Sequence, residues 1–122
     1  MKFTQTDFGN KKEILKFPDH YVAVAVTMDD AGVVANSDGK KIIPAGTIIG
    51  GNGSSALANP GTKVNVQNDA DAEGVLFNDV DVTYGPHAGA MIIHGFINVA
   101  KLPTAPDPAA VTALKGRITF LK

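Results

Sequence analysis

The stretch Gly89-Ala-Met-Ile-Ile-His-Gly-Phe-Ile-Asn-Val99 constrains this chain more than any other. Alternate residues of an extended chain point to opposite sides. One set here is Met91, Ile93, Gly95, Ile97 and Val99; the other is Ala90, Ile92, His94, Phe96 and Asn98. Both sets are largely apolar, so neither side suits water. Such a strand belongs in the middle of a sheet, with packing on both faces. The remaining chain must supply that packing. With 122 residues, 44% of them hydrophobic, it can form one domain whose core needs no metal or disulfide.

The rest of the sequence reads as short elements separated by turns. Its 13 glycines and 7 prolines are spread along the chain rather than gathered in a linker, which points to a mostly-β domain. Residues 20–28 alternate cleanly, with Val22, Val24 and Val26 on one face and Tyr21, Ala23, Ala25 and Thr27 on the other. Turn signals follow at Asp29-Asp-Ala-Gly32 and Asn36-Ser-Asp-Gly39. Short strands are expected at 40–43, 47–49 and 63–66, with a long loop over 50–61 between the last two. Residues 74–84 read as a long strand, bulged near Asn78-Asp79 and paired antiparallel with 89–99 across residues 85–88. One helix is expected, with Asp107 as N-cap, Pro108 in the first position, helix formers from Ala109 to Lys115, and Gly116 after its end. A closing strand spans 117–121.

Residues 1–19 read differently, as an N-terminal arm ahead of a β-rich domain over 20–122. Lys2, Lys11, Lys12 and Lys16 outnumber Asp7, Glu13 and Asp19, and Phe3, Phe8 and Phe17 punctuate the segment. A purely solvated tail has little use for three phenylalanines, so the arm is expected to order on a partner.

Chemistry is harder to place. Without cysteine there is no disulfide, thiol nucleophile or thiolate-held zinc. The net charge of −1 and the absence of Trp argue against nucleic acid and anionic membranes as partners. No apolar run approaches the roughly 20 residues of a membrane span. No nucleophile elbow surrounds Ser37, Ser54 or Ser55, and Gly50-Gly-Asn-Gly53 lacks the phosphate-loop lysine. His20, His87 and His94 show no ligand spacing, so neither a metal nor a cofactor is expected. An acid–base site would have to combine His94 with Asp79 and Asp81 across the expected hairpin; the plainer reading makes His94 a structural or interface residue. Asp69, Asp71 and Glu73 read as a solvated acidic loop. The strongest remaining signals are surfaces for partners: the basic arm and the second apolar face of 89–99.

The segments Gly74-Val-Leu-Phe-Asn-Asp-Val-Asp-Val-Thr83 and Gly89-Ala-Met-Ile-Ile-His-Gly-Phe-Ile-Asn98 carry a resemblance. Preceded by Ala45-Gly46-Thr47-Ile48-Ile49-Gly50 and followed by an Ala-rich helix over 108–115 and a strand over 118–121, they resemble tailed-phage capsid decoration and head-fibre proteins. The likeness covers residues 45–122 and is more distant to the lambda-type head decoration protein. It implies a small β-barrel or β-tulip-like domain with one short C-terminal helix and a flexible N-terminal arm. It also implies a non-enzymatic protein made in the bacterial cytoplasm and carried on the virion. There it would bind the outer surface of the expanded major capsid lattice, as a homotrimer at three-fold sites, and stabilise the head. On this reading Phe3, Phe8, Lys11, Lys12 and Phe17 contact the capsid, and His94 and Phe96 lie at the oligomer interface. The alternative is a carbohydrate- or host-surface-binding module displayed on the head, with its site in the loop over 50–61.

Overall fold

A strand with two apolar faces and two open edges collects neighbours on all four sides, and β7 (His87–Asn98) does so. The structure, a computed structural model, describes residues 14–51, 55–59 and 61–121. Along one edge of β7 lies β1 (Tyr21–Met28), antiparallel from Met28 opposite His87 to Tyr21 opposite Gly95. The same edge continues past β1 with Leu15 bridging Ile97. There the Lys16 N–H donates to the Phe96 carbonyl and the Asn98 N–H to the Ile14 carbonyl, both at 2.8 Å. The opposite edge holds β5 (Gly74–Leu76), antiparallel, with Val75 opposite Ile92. Beyond it on that edge lies β8 (Ile118–Leu121), parallel, with Gly95 opposite Ile118.

The pairing also closes on itself. β1 runs parallel to β4 (Lys63–Val66), β4 antiparallel to β3 (Ile48–Gly50), and β3 antiparallel to β5, which returns to β7. A separate two-stranded ribbon joins β2 (Ile42–Ile43) to β6 (Val80–Asp81). Adjacent residues of the ring strands point to different cores. Ile49, Leu76, Met91, Val64, Val26 and Met28 come from five strands and meet inside the ring. Ile48, Val75 and Ile92 point outward, where Ile97, Ile118, Ile14 and Leu15 join them. That outer core is covered by α1 (Pro108–Leu114) through Ala110 and Leu114, one turn apart on one face. The helix starts as its sequence dictates: the Asp107 side chain accepts from the Ala109 N–H at 3.0 Å, and Pro108 needs no partner there. The mostly-β class and the short C-terminal helix thus agree with the sequence.

Three details differ from the sequence reading. The run 74–84 is not one strand. It breaks after Leu76, where the Asp79 carboxylate accepts from the Ala45 N–H at 2.7 Å, and the following β6 leaves β5 to pair with β2. The alternation of 89–99 is also interrupted. Opposite Val22 and Ala23 lie His94 and Ile92, so Ile93 is an extra residue, a β-bulge. Beyond it the odd-numbered Ile97 joins the even-numbered Ile92 in the outer core, and Val99 belongs to a 3₁₀ turn. Gly95, beside the bulge, has φ +153°, a backbone setting that disfavours any side chain. Finally, Ile14 and Leu15 are core residues, buried to 0% and 4% exposure, so the packed body already includes part of the expected arm. Residues 1–13, with Phe3, Phe8, Lys11 and Lys12, lie outside the described residues.

Gly74 marks the tightest strand approach at β7. A Cβ there would sit 2.5 Å from both the Ile92 carbonyl oxygen and the Met91 Cγ. Gly74→Ala should destabilise the protein by about 1–3 kcal/mol, read as a lower urea midpoint at unchanged slope. Gly61→Ala, where a Cβ meets nothing within 4 Å, should leave the midpoint unchanged or raise it slightly.

Candidate functional site

The two strands that form the longest pairing, β1 and β7, also present an exposed apolar surface. On β1 the side chains of Val22, Val24, Val26 and Met28 share one face. Exposure falls along it from 49% at Val22 to 7% at Val26 and 0% at Met28. The face that lines the ring interior therefore runs out into solvent at the Val22 end. His94, opposite Val22, stands beside it.

The residues before β1 fold back onto that exposed end. Pro18 and Asp19 form a turn in which the His20 N–H donates to the Phe17 carbonyl at 3.1 Å. The turn sets Phe17 edge-on against Phe96, ring centroids 5.3 Å apart at 83°. It sets His20 against His94 at 5.3 Å and against Phe96 at 5.5 Å. Phe17 remains half exposed, and His20 and His94 are exposed. Across the sheet, Tyr21 lies 5.1 Å from Phe77, at the edge of the outer core. The surface thus joins Phe17, His20, Val22, His94 and Phe96, and phenylalanine is among the residues enriched in protein interfaces. Three of the sequence-selected residues, Phe17, His94 and Phe96, meet here. The sequence alone does not mark His20 as a neighbour of His94; the ring contact forms only once β1 has paired with β7.

The possible acid–base site does not form. Asp79 caps Ala45, and Asp81 accepts from the hydroxyl and the N–H of Thr83. Among the described residues neither bonds His94, and no group of three or more His, Asp or Glu side chains converges on a metal position.

The acidic loop holds a surprise. Asp69 and Asp71 are exposed as expected, but Glu73 is only 8% exposed. Its carboxylate accepts from the Gly51 N–H at 2.6 Å, the Ser55 hydroxyl at 2.5 Å and the Ala56 N–H at 3.1 Å, with a longer contact from the Leu57 N–H. One side chain thus ties down the described part of the loop after β3. The adjacent cleft is lined by Gly51, Ser55, Leu57, Glu73, Ala113 and Arg117 among others. No described aromatic ring lines it. Arg117 is turned to the protein itself, donating to the Glu73 carbonyl at 2.9 Å.

Compared with protein-family models and with curated proteins, the sequence matches none. No helix among the described residues is long and apolar enough to cross a membrane.

Glu73 gives this loop a pH dependence. Burial pushes its carboxyl upward, but the Ser55 hydroxyl and the N–H groups of Gly51, Ala56 and Leu57 outweigh burial and hold it below the ordinary glutamate value. A depressed value in the folded state stabilises the fold above the unfolded value, and that stabilisation is lost as pH falls through the folded one. Glu73→Ala should cost about 2–3 kcal/mol at neutral pH, since it strands buried donors. Glu73→Gln should flatten the acid limb of a plot of stability against pH, measured by urea unfolding from neutral pH downward.

Proposed function

We propose that this protein is a non-enzymatic capsid decoration protein of a tailed phage, carried on the outer surface of the virion head. It binds the expanded lattice of the major capsid protein, as trimers at three-fold positions, and needs no cofactor. The observation that carries this reading is the surface of exposed Phe17, His20, Val22 and His94 around half-buried Phe96. It lies where the chain from the N-terminal segment first joins the domain, beside the Leu15–Ile97 bridge. The sequence just upstream holds Phe3, Phe8, Lys11 and Lys12, so an aromatic and basic segment leads directly into an aromatic surface. The resemblance supports the same reading, because the segments that carry it become neighbours around β7: β5 on one edge, β8 beyond it, and α1 over their outer face.

Mechanistically, decoration is selective binding. A protein that binds the expanded lattice and not its precursor stabilises the expanded state by mass action, and no bond need be made or broken. Buried aromatic anchors supply the affinity, on the order of 2 kcal/mol each when fully covered. Many copies on one head make modest affinity per copy sufficient.

The test is sedimentation with purified heads. The full chain should pellet with expanded heads and stay in solution with unexpanded precursors. Deleting residues 1–13 spares Ile14 and Leu15, so the domain should remain folded by circular dichroism while losing most head binding. Phe96→Ser should weaken head binding or lower the solution mass from the trimer value. Absence of any binding to expanded heads by the full chain would overturn the proposal.

A further inference from the structure

His20 and His94 lie 74 positions apart in sequence, yet their rings come within 5.3 Å, centre to centre, tilted 58°. Both side chains are exposed, and among the described residues no hydrogen bond engages their ring nitrogens. His87, in contrast, has its Nδ1 3.0 Å from the Ala88 carbonyl. A tetrahedral ion with metal–nitrogen bonds of about 2.0–2.1 Å holds two imidazole ring centres roughly 5.2 Å apart. The spacing of the His20–His94 pair therefore matches that of two imidazoles sharing one ion. We propose that His20 and His94 form a two-histidine chelate for a divalent transition metal of the zinc or nickel type.

The supports of the two rings favour chelation. His94 is held in β7 opposite Val22, next to the bulge, and His20 closes the Pro18-Asp19 turn at the start of β1. Phe96 packs against His20 from one side and carries Phe17 on its own edge. The rings are thus brought together by the backbone, with the entropy of approach met by folding rather than by the metal. Imidazole nitrogen suits zinc, nickel and copper, whereas magnesium prefers oxygen ligands. Two protein ligands leave the other coordination positions to water, in keeping with the exposed setting. The unfolded chain does not bring the two residues together, so the ion binds the folded state preferentially and raises its stability. This inference concerns the isolated protein and does not depend on the proposed function.

Titration of the full chain with zinc chloride at neutral pH, followed by the histidine ring signals in NMR spectra, tests the site. The His20 and His94 signals should move together and saturate at one ion per chain, with His87 unaffected. Magnesium at the same concentration should move none of them. His20→Gln and His94→Gln should each weaken zinc binding at least about tenfold, the lower bound of what losing even an outer-shell partner costs. His87→Gln should bind like the natural sequence. Zinc affinity unchanged in His20→Gln or His94→Gln, or His20 and His94 signals responding with different midpoints, would overturn the proposal.

Discussion

The pairing of β7 with its neighbours is the interaction on which the rest of the molecule depends. Four segments use this one strand as a template: β1, residues 14–16, β5 and β8. Its two faces serve two cores, Met91 inside the ring and Ile92 and Ile97 outside. Backbone hydrogen bonds order the neighbours, and apolar burial on both faces makes the order favourable. Nothing else in the fold has that reach. β2 and β6 pair only with each other, and α1 rests on the outer core without joining the sheet.

Around that frame, short polar side chains fix the irregular parts. Glu73 holds Gly51 and the stretch from Ser55 to Leu57, Asp79 holds Ala45, Asn36 accepts from the N–H groups of Asp38 and Lys40, and Asn68 bonds the backbone on both sides of Pro106. Each replaces a regular ladder bond with a side-chain acceptor or donor, which is how loops can pack against a core without stranding backbone groups. Glu73 differs from the others because it is buried and serves several donors at once, so Gly51, Ser55, Ala56 and Leu57 all depend on one charge.

Much of this was legible in the sequence. The alternation Val22–Val24–Val26 located β1, and Asp107-Pro108 with Gly116 bounded the helix. The apolar run at 89–99 identified the central strand. What the sequence concealed was non-local. The break at 77–79 looked like a continuing strand because Val80 and Val82 keep the apolar alternation, although Asp79 is turned to cap Ala45. The bulge at Ile93 is invisible without its partner strand, since only the Val22–Ala23 register reveals the extra residue. Ile14 and Leu15 looked like part of an arm because the lysines around them dominate the local composition, and their burial depends on Ile97, far along the chain. His20 shows the same dependence. Its neighbour His94 is near only once β1 has paired.

The edge of β7 that receives β1 also sets a timetable for synthesis. Val22 pairs with His94, about 70 residues later in the chain. At roughly 5–20 residues per second, a ribosome needs on the order of 4–14 seconds to make the intervening stretch. Throughout that interval the valines of β1, together with Ile14, Leu15 and Phe17, have no β7 on which to pack. The parallel contact of β1 with β4 offers an earlier partner, but its register covers only Thr27 and Met28. The apolar face of β1 therefore emerges well before the strand that covers it. Nascent chains of this protein spend their longest wait with that segment uncovered, and it is there that chaperones or premature association would act.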